Sequence, residues 1–258
     1  MTVAIGTYFI GGVIISADTN VVATDGIVTS GEKVLGVRSR SGSYAIANAA
    51  EDGNAANMLG QEIIDELARR RNDQLTIEVL VKRKMRDWHS AYTQNTAPPV
   101  SFVLAASVGN GDKRLYFCEP PNTVLQKHLD EVLAIGVGAR IVEPLVPSVV
   151  PGPAPLRLAL FQVAYLMYRA KRDHIYLRGS DTHAMVLSLD GSIHRVAIEE
   201  MTEAERLCRE IDRVLQSCFG ALVGRDYGAG AMSFSLLYEQ CKTRCDALEF
   251  RSVQSAIV

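Results

Sequence analysis

The sequence opens with MTVAIGTYFIGGVIISADT, residues 1–19, and this stretch decides the predicted fold. It contains two segments, 2–9 and 12–18, that are rich in the residue types favoured in β-strands. A Gly-Gly pair separates them, which is typical of a tight turn between antiparallel strands. Such a hairpin would bring Thr2, near its start, beside Asp18, at its end.

Thr2 is a candidate nucleophile because of its place in the chain. Methionine aminopeptidases remove Met1 when a small residue follows it. Thr2 would then carry a hydroxyl nucleophile together with a free α-amine that serves as its base. Lys33 lies fifteen residues beyond Asp18. An ammonium held near the α-amine lowers the pKa of that amine, and an aspartate fixes the lysine. The spacing therefore predicts a catalytic set of Thr2, Asp18 and Lys33.

Length and composition limit the classes of protein to consider. The chain has 258 residues, 48% of them hydrophobic, and a formal net charge of −2. We expect one large domain over residues 1–220 and a C-terminal extension, 221–258, that is not an independent domain. The near-neutral charge offers no electrostatic footprint for nucleic acid. No apolar run is long enough for a membrane helix and no signal peptide is recognisable, so we expect no membrane partner.

The cysteines and histidines form no metal-binding pattern. The five cysteines contain no CxxC pair and no disulfide-framework spacing, which favours a reducing, cytoplasmic compartment. Cys241 and Cys245 are one helical turn apart, but no histidine lies near them in sequence, so two half-buried thiols are the simpler interpretation. The five histidines show neither metal nor triad spacing. We therefore expect no metal and no other cofactor.

The rest of the chain alternates between strand-like and helix-like periods. Apolar residues recur in helical phase over 51–71 and again over 76–93, which predicts two consecutive helices. Further strands are predicted at 21–24, 26–30, 33–39, 42–48, 100–108, 114–118, 132–136, 184–189 and 193–198. Further helices are predicted at 155–172, at 202–219, where a Thr-Glu-Ala-Glu capping box opens the helix, and at 232–250. Strand runs separated by paired helices indicate an α+β fold, with two stacked sheets covered by helices on both outer faces.

Several motifs resemble the proteasome β-subunit family of N-terminal-nucleophile (Ntn) hydrolases, which includes the bacterial ring protease HslV. The resemblance covers roughly residues 2–200. Its motifs are the Thr-Val-x-Ile start, the Gly-Gly-Val-Ile-Ile-Ser-Ala-Asp-Thr segment, Glu-Lys-Val-Leu at 32–35 and Ile-Ala-Asn at 46–48. The resemblance implies the four-layer αββα sandwich of that family.

The resemblance also implies roles for single residues. Thr2, Asp18 and Lys33 match the nucleophile, the acid and the lysine of the family. Asn48 stands where the family usually has a glycine whose backbone N–H helps form the oxyanion hole. The segment 170–173 resembles the one that carries a second supporting acid, which nominates Asp173, with Ser180 as its partner hydroxyl. The Gly136-Val137-Gly138 turn resembles the family's Gly-Ser-Gly, with valine in place of the serine.

Six further residues match positions that line the family's pocket for the residue before the cut. They are Val21, Gly31, Leu35, Ile46, Ala50 and Asn54. All six are uncharged, and most are small or aliphatic. Burial of an apolar side chain in such a pocket is favourable, whereas a charge would lie unpaired there. The resemblance thus implies cleavage after Leu, Tyr or similar residues.

The resulting hypothesis is a threonine peptidase or amidohydrolase that acts on polypeptides inside a self-compartmentalising homo-oligomeric ring. The two helices over 51–93 carry more apolar residues than one core face needs, Trp88 and Tyr92 among them, which favours assembly. An ATP-dependent unfoldase is left open as a partner. Two alternatives also stay open. One is a non-catalytic proteasome-like scaffold, and the other is a transpeptidase, in which an amine rather than water resolves the Thr2 ester.

Overall fold

A computed structural model describes most of the chain. The described residues are 2–22, 28–50, 52–70, 74–92, 100–108, 112–119, 123–127, 131–174, 177, 179–223, 239, 242–244 and 246–256. Within them the chain forms an α+β fold with two five-stranded antiparallel sheets, a two-stranded ribbon and helices. The predicted α+β class is confirmed.

The first sheet holds the N-terminal hairpin. Its strands, in spatial order, are β10 (Leu133–Gly136), β1 (Val3–Phe9), β2 (Gly12–Asp18), β11 (Thr182–Ser188) and β12 (Ile193–Val196). The second sheet runs in chain order through β5 (Val34–Ser39), β6 (Gly42–Ala50), β7 (Val100–Val108), β8 (Asp112–Glu119) and β9 (Thr123–Lys127). The ribbon of β3 (Asn20–Val22) and β4 (Val28–Ser30) connects β2 to β5.

The helices follow the strands in two groups. They are α1 (Gly53–Arg69), α2 (Gln74–Tyr92), α3 (Ala139–Val142), α4 (Val146–Val149), α5 (Leu156–Asp173) and α6 (Ile198–Val223), with 3₁₀ turns at Glu143–Leu145 and Arg251–Ala256. Asp52 caps α1 by accepting the N–H of Ala55 at 3.0 Å, which satisfies one of the free donors at the helix start. None of the described helices is long and apolar enough to cross a membrane.

Three apolar clusters hold these elements together. One cluster joins the facing sides of the two sheets, through residues such as Ile15 of β2 and Ala105 of β7. A second joins β1, β2 and β11 to α5 and α6, and a third joins β6 and β7 to α1 and α2. Strands β1 and β2 are buried along their whole length because both of their faces are covered.

Several predicted elements differ from the observed ones. Strand β9 was not predicted, and the Pro-rich segment 144–155 contains the short helix α4. Helix α6 begins at Ile198, so Thr202 lies inside the helix and is not its N-cap. About half of the helix predicted over 232–250 falls outside the described residues, and residues 239, 242–244 and 246–247 are helical. At the described end of the chain, Leu248, Phe250 and Val253 are buried against the α5–α6 cluster.

Candidate active site

The β1–β2 hairpin brings Thr2 and Asp18 into contact. Ala4 pairs with Ala17 across the hairpin, so the residues before β1 run along the end of β2. Oδ1 of Asp18 accepts the N–H of Val3 at 2.8 Å and also the hydroxyl of Thr2. Both side chains are deeply buried, with exposed fractions of 2% for Thr2 and 0% for Asp18. The nucleophile candidate and the acid candidate are therefore hydrogen-bonded.

Lys33 reaches the same point from the start of the second sheet. Its Nζ lies 2.7 Å from Oγ1 of Thr2 and 3.1 Å from Oδ2 of Asp18. The ammonium also donates to the carbonyl oxygen of Asn20. Only 2% of the Lys33 surface is exposed. The structure thus brings together the three side chains that the sequence spacing singled out.

The electrostatics of the cluster favour a proton-accepting lysine. Oδ2 of Asp18 accepts the N–H of Asn20 at 3.0 Å as well as the Lys33 ammonium, so each carboxylate oxygen accepts two hydrogen bonds. Burial lowers the pKa of Lys33 below its ordinary value of 10.5, and the Asp18 carboxylate opposes part of that effect. The neutral form of Lys33 therefore becomes populated at a lower pH than that of an exposed lysine. A neutral amine at 2.7 Å from the Thr2 hydroxyl is within reach of its proton.

A glycine turn after β10 packs against the main chain of Thr2. Strand β10 pairs with β1, with Gly136 opposite Val3. Gly136 has a φ of +84°, and a Cβ there would lie 2.2 Å from the carbonyl oxygen of Thr2. The N–H of Gly138 points to the same oxygen at 3.5 Å. The close approach of this turn to the main chain of Thr2 requires glycine at position 136.

Asn48 lies beside the cluster, but its main-chain N–H is already used. That N–H donates to the carbonyl oxygen of Lys33 at 3.1 Å, as part of the contact between β6 and the residue before β5. A donor paired within the protein is not free to bind an oxyanion. The resemblance suggested an oxyanion role for this N–H, and in the structure the N–H serves the sheet instead.

Asp173 lies away from the cluster. It ends α5 with an exposed side chain, whose carboxylate accepts bonds from Arg172 at 2.6 Å and 2.9 Å and from Arg169 at 3.4 Å. The bond from Arg172 is the main cause of its lowered pKa. Within the described residues no hydrogen bond connects Asp173 to Thr2. The hydroxyl of Ser180 donates to the carbonyl oxygen of Leu177, also outside the cluster.

Three of the six pocket candidates meet on one face of the second sheet. Ile46 is buried, and Leu35 and Ala50 are partly buried, all within the apolar cluster that includes α1. Leu35 and Ile46 pair across β5 and β6, and α1 lies over them. These three side chains form an apolar surface on the same sheet that Lys33 precedes.

The other three candidates differ in their surroundings. The N–H of Gly31 donates to the carbonyl oxygen of Thr19 at 2.8 Å, which holds the ribbon closed. Asn54 is exposed in the first turn of α1. Val21 lies in β3, and its side chain is outside the described part of the chain.

Two asparagines that hold the site were not predicted from the sequence. Asn20 contacts both Asp18 and Lys33 through its main chain, which no side-chain pattern reveals. Asn57 of α1 donates to the carbonyl oxygen of Glu32 at 2.6 Å and accepts from Asn48 at 2.6 Å. A polar residue on the inner face of an amphipathic helix was the only available hint.

Comparison with known proteins identifies relatives by structure alone. No protein-family model and no curated protein matches the sequence. The fold is similar to that of Anbu (ancestral β-subunit) from Yersinia bercovieri, with a TM-score of 0.71 and 14% identity over 84% of this chain and 96% of that one. Anbu from Hyphomicrobium sp. strain MC1 matches with a TM-score of 0.67 and 14% identity, over 83% of this chain and 97% of that one.

A third similar structure is the helical assembly of the Anbu complex from Pseudomonas aeruginosa. Its TM-score is 0.66 and its identity 16%, over 84% of this chain and 95% of that one. The specific likeness to HslV expected from the sequence is wrong, because no family model or curated protein supports it and these structures are Anbu proteins. The chain has the fold of the Anbu proteins.

Proposed function

We propose that this chain is an N-terminal threonine amidohydrolase that cleaves peptide bonds in polypeptides, with Thr2 as nucleophile after Met1 has been removed. The observation that carries the proposal is the 2.7 Å contact between the Thr2 hydroxyl and the buried Lys33 amine, both tied to Asp18. A buried lysine and aspartate are costly to keep in a protein interior. Their convergence on one hydroxyl favours catalysis over a purely structural role.

The proposed reaction runs through an ester. Oγ1 of Thr2 attacks the carbonyl carbon of the substrate. Its proton passes to the neutral amine of Lys33, 2.7 Å away, and not to the Thr2 α-amine, which was the base expected from the sequence. The lysine then gives this proton to the leaving amine as the peptide C–N bond breaks. Water, or a second amine in the transpeptidase alternative, attacks the ester and restores the Thr2 hydroxyl. Asp18 holds Lys33 and Thr2 in position throughout.

A proteasome-like scaffold without catalysis is the second candidate. It is favoured by the hydrogen bond between the N–H of Asn48 and the Lys33 carbonyl oxygen, because this bond removes the oxyanion donor that the resemblance suggested. Catalysis by Thr2 then needs either another donor or a local change at the start of β5 on substrate binding.

Two measurements separate these candidates. Intact mass of the purified protein shows whether Met1 is absent, and a peptide epoxyketone or β-lactone reports on Thr2 itself. The peptidase proposal expects loss of Met1 and a covalent adduct on Thr2. A retained Met1, with no adduct, would support the scaffold.

We further propose the four-layer αββα arrangement and a homo-oligomer. The three apolar clusters, one between the sheets and one on each outer face, support the layers. The helical assembly of the Pseudomonas aeruginosa Anbu complex supports oligomerisation. In the proposed homo-oligomer, Thr2 would face a cavity that folded proteins do not enter. Negative-stain electron microscopy would show whether the homo-oligomer is a ring or a helix.

The rate of hydrolysis should rise with pH. The neutral form of Lys33 is the proposed base, and its pKa lies below 10.5 because the side chain is buried. We expect kcat/KM to increase with pH and to level off with an apparent pKa lower than 10.5. A pH profile measured on one uncharged fluorogenic peptide tests this. A rate that is flat between pH 6 and 10 would contradict the role of Lys33 as base.

The lowered pKa of Lys33 also determines how its contribution to the free energy of unfolding changes with pH. The folded state binds the Lys33 proton less tightly than the unfolded state, whose lysine titrates near 10.5. Unfolding therefore takes up a proton at pH values between the lowered pKa and 10.5. The contribution of Lys33 to the free energy of unfolding thus becomes more favourable as pH rises through this window, and Lys33→Met should remove it.

Assembly is expected to depend on the outer surface of α1 and α2. Trp88 packs against the apolar cluster that joins α1 and α2 to the second sheet, so it does not supply the expected surplus. The side chain of Tyr92 lies outside the described residues. Instead Met58 of α1 and Val79 of α2 are exposed, with fractions of 65% and 57%. We propose that these two side chains on adjacent helices form part of a contact surface between subunits.

The test is light scattering at micromolar concentration. We expect a mass of at least six chains, and a clear decrease in that mass for the double variant Met58→Glu/Val79→Glu. Leu158→Glu is the matched control, because Leu158 is also exposed, at 49%, but lies on α5. A wild-type protein that has the mass of one chain and full peptidase activity would show that the oligomer proposal is wrong.

A further inference from the structure

The side-chain amide of Asn48 has a fixed orientation. The carbonyl oxygen of Glu32 accepts hydrogen bonds and cannot donate, so the Asn57 atom 2.6 Å from it must be Nδ2. Oδ1 of Asn57 then faces Asn48, and the Asn48 atom 2.6 Å from it must be Nδ2. That nitrogen also faces the carbonyl oxygen of Lys33 at 3.4 Å, which is a second acceptor. If the Asn48 amide were flipped, its oxygen would face two other acceptors, Oδ1 of Asn57 and the carbonyl oxygen of Lys33.

This orientation leaves one group of Asn48 without a partner. Oδ1 of Asn48 is buried and has no hydrogen-bond partner among the described residues. The residue as a whole is 2% exposed. A buried acceptor without a donor is destabilising, and few such groups persist in folded proteins unless a ligand or water satisfies them. Oδ1 of Asn48 is therefore available to accept a hydrogen bond from a ligand.

The acceptor is connected to the proposed nucleophile through Lys33. The N–H of Asn48 donates a hydrogen bond to the carbonyl oxygen of Lys33, and the amine of Lys33 is 2.7 Å from Oγ1 of Thr2. On strand β6 it shares a face with Ile46 and Ala50, because side chains alternate along a strand. Those two residues belong to an apolar cluster. A substrate side chain that reached this face would meet apolar groups and one hydrogen-bond acceptor.

We propose that Oδ1 of Asn48 accepts a hydrogen bond from the side chain of the substrate residue before the cleaved bond. It thereby selects a neutral donor, namely a phenol, a hydroxyl or a primary amide. This inference rests on the proposed peptidase function. Cationic donors are disfavoured, because the carboxylate of Glu32, the residue whose carbonyl oxygen orients Asn57, is paired with Arg195. A site that holds an acceptor for a substrate donor discriminates against the analogue that lacks that donor.

The experiment compares fluorogenic peptides that differ by a single donor before the cut. Tyr is paired with Phe, and Gln with Met. We expect kcat/KM of the wild type to favour the donor in each pair by about tenfold. Asn48→Ala should abolish both preferences, and Asn57→Ala should weaken them because the orientation of the amide is lost. Asn48→Asp should raise turnover of the peptide with Lys at this position.

A control variant removes an amide that has no role in the proposal. Gln61 is exposed on α1 and donates to Asp65 at 2.8 Å, so Gln61→Ala should keep the wild-type preferences. Thermal unfolding of each variant shows that it is folded. Labelling of Thr2 by a peptide epoxyketone shows independently that the nucleophile is active.

Two results would overturn the inference. The first is equal turnover of Tyr and Phe peptides by a wild type whose Thr2 is labelled, which refutes the selectivity while the peptidase function stands. The second is a uniform loss for all peptides in a folded Asn48→Ala protein, which assigns Asn48 a structural role. If a wild type with a free Thr2 amine is neither labelled nor active, the proposed function and this inference fail together.

Discussion

Thr2→Ala is expected to reduce peptide hydrolysis by about 10⁴-fold or more, since loss of a nucleophile removes the covalent route altogether. The substitution should leave the fold intact, because the Val3 N–H bond to Asp18 does not need the Thr2 side chain. Turnover of a fluorogenic peptide measures the effect. Intact mass verifies that Met1 has been removed. Thr2→Ser is the conservative control and should retain measurable activity.

Lys33→Met should cause a loss of similar size. Nζ of Lys33, the proposed base, lies 2.7 Å from Oγ1 of Thr2, and methionine keeps the length of the side chain without the amine. Groups that act as one unit have non-additive effects, so the double variant should be no slower than either single variant. Lys84→Met is the matched control, because Lys84 forms only a partly exposed ion pair with Glu62 at 3.4 Å. Unchanged turnover in a correctly processed Thr2→Ala protein would end the assignment of Thr2.

The parts of the site that sequence predicted are those set by short-range patterns. Two apolar segments joined by a Gly-Gly turn suffice to bring Thr2 to Asp18, because an antiparallel hairpin aligns its two ends. Lys33 was singled out by its spacing from Asp18, and the resemblance assigned it the same role, although it reaches the cluster from the start of the other sheet. The α+β class followed from the order of strands and paired helices.

The parts that sequence did not predict depend on contacts between distant elements. The orientation of Asn48 depends on Asn57 of α1 and on the carbonyl oxygen of Glu32, and no periodicity encodes a side-chain bond to a carbonyl. Asp173 was nominated because segment 170–173 resembles that of the family, but in the structure its carboxylate accepts a hydrogen bond from the neighbouring Arg172. At 14–16% identity the similarity to solved structures extends to the fold and not to a specific enzyme.

Glu205 illustrates the same limit and leads to a prediction of stability. Its sequence context suggested a capping-box residue in the first turn of a helix. Helix α6 starts four residues earlier, at Ile198, so Glu205 lies in the second turn and faces α5. There its carboxylate accepts bonds from Nζ of Lys171 at 2.9 Å and 3.0 Å, and from the hydroxyl of Thr182.

This ion pair is buried between α5, α6 and the first sheet. Lys171 is 8% exposed and Thr182 is 1% exposed. Nζ of Lys171 is also 2.7 Å from Oγ1 of Thr182, so Glu205, Lys171 and Thr182 form a closed set of hydrogen bonds. Thr182 pairs directly with Asp18 across β11 and β2. The same set of bonds therefore anchors the strand next to the proposed catalytic acid.

Glu205→Ala is expected to lower the free energy of unfolding by about 3–5 kcal/mol, because it leaves the Lys171 ammonium buried without its counter-charge. Glu203→Ala is the matched control on the same helix. Its partner Arg206 is exposed, and an exposed ion pair contributes little to stability. Denaturant unfolding at one fixed protein concentration measures both, since the stability of an oligomer depends on concentration.

A double variant separates the loss of an interaction from the cost of an uncompensated charge. Lys171→Met/Glu205→Leu removes both charges and fills the space with apolar atoms, so it should recover most of the stability lost in Glu205→Ala. If the double variant is as unstable as Glu205→Ala, the hydrogen bonds to Thr182 matter more than the buried charge. If Glu205→Ala costs no more than Glu203→Ala, Lys171 reaches water in solution and the buried ion pair does not stabilise the strand beside Asp18.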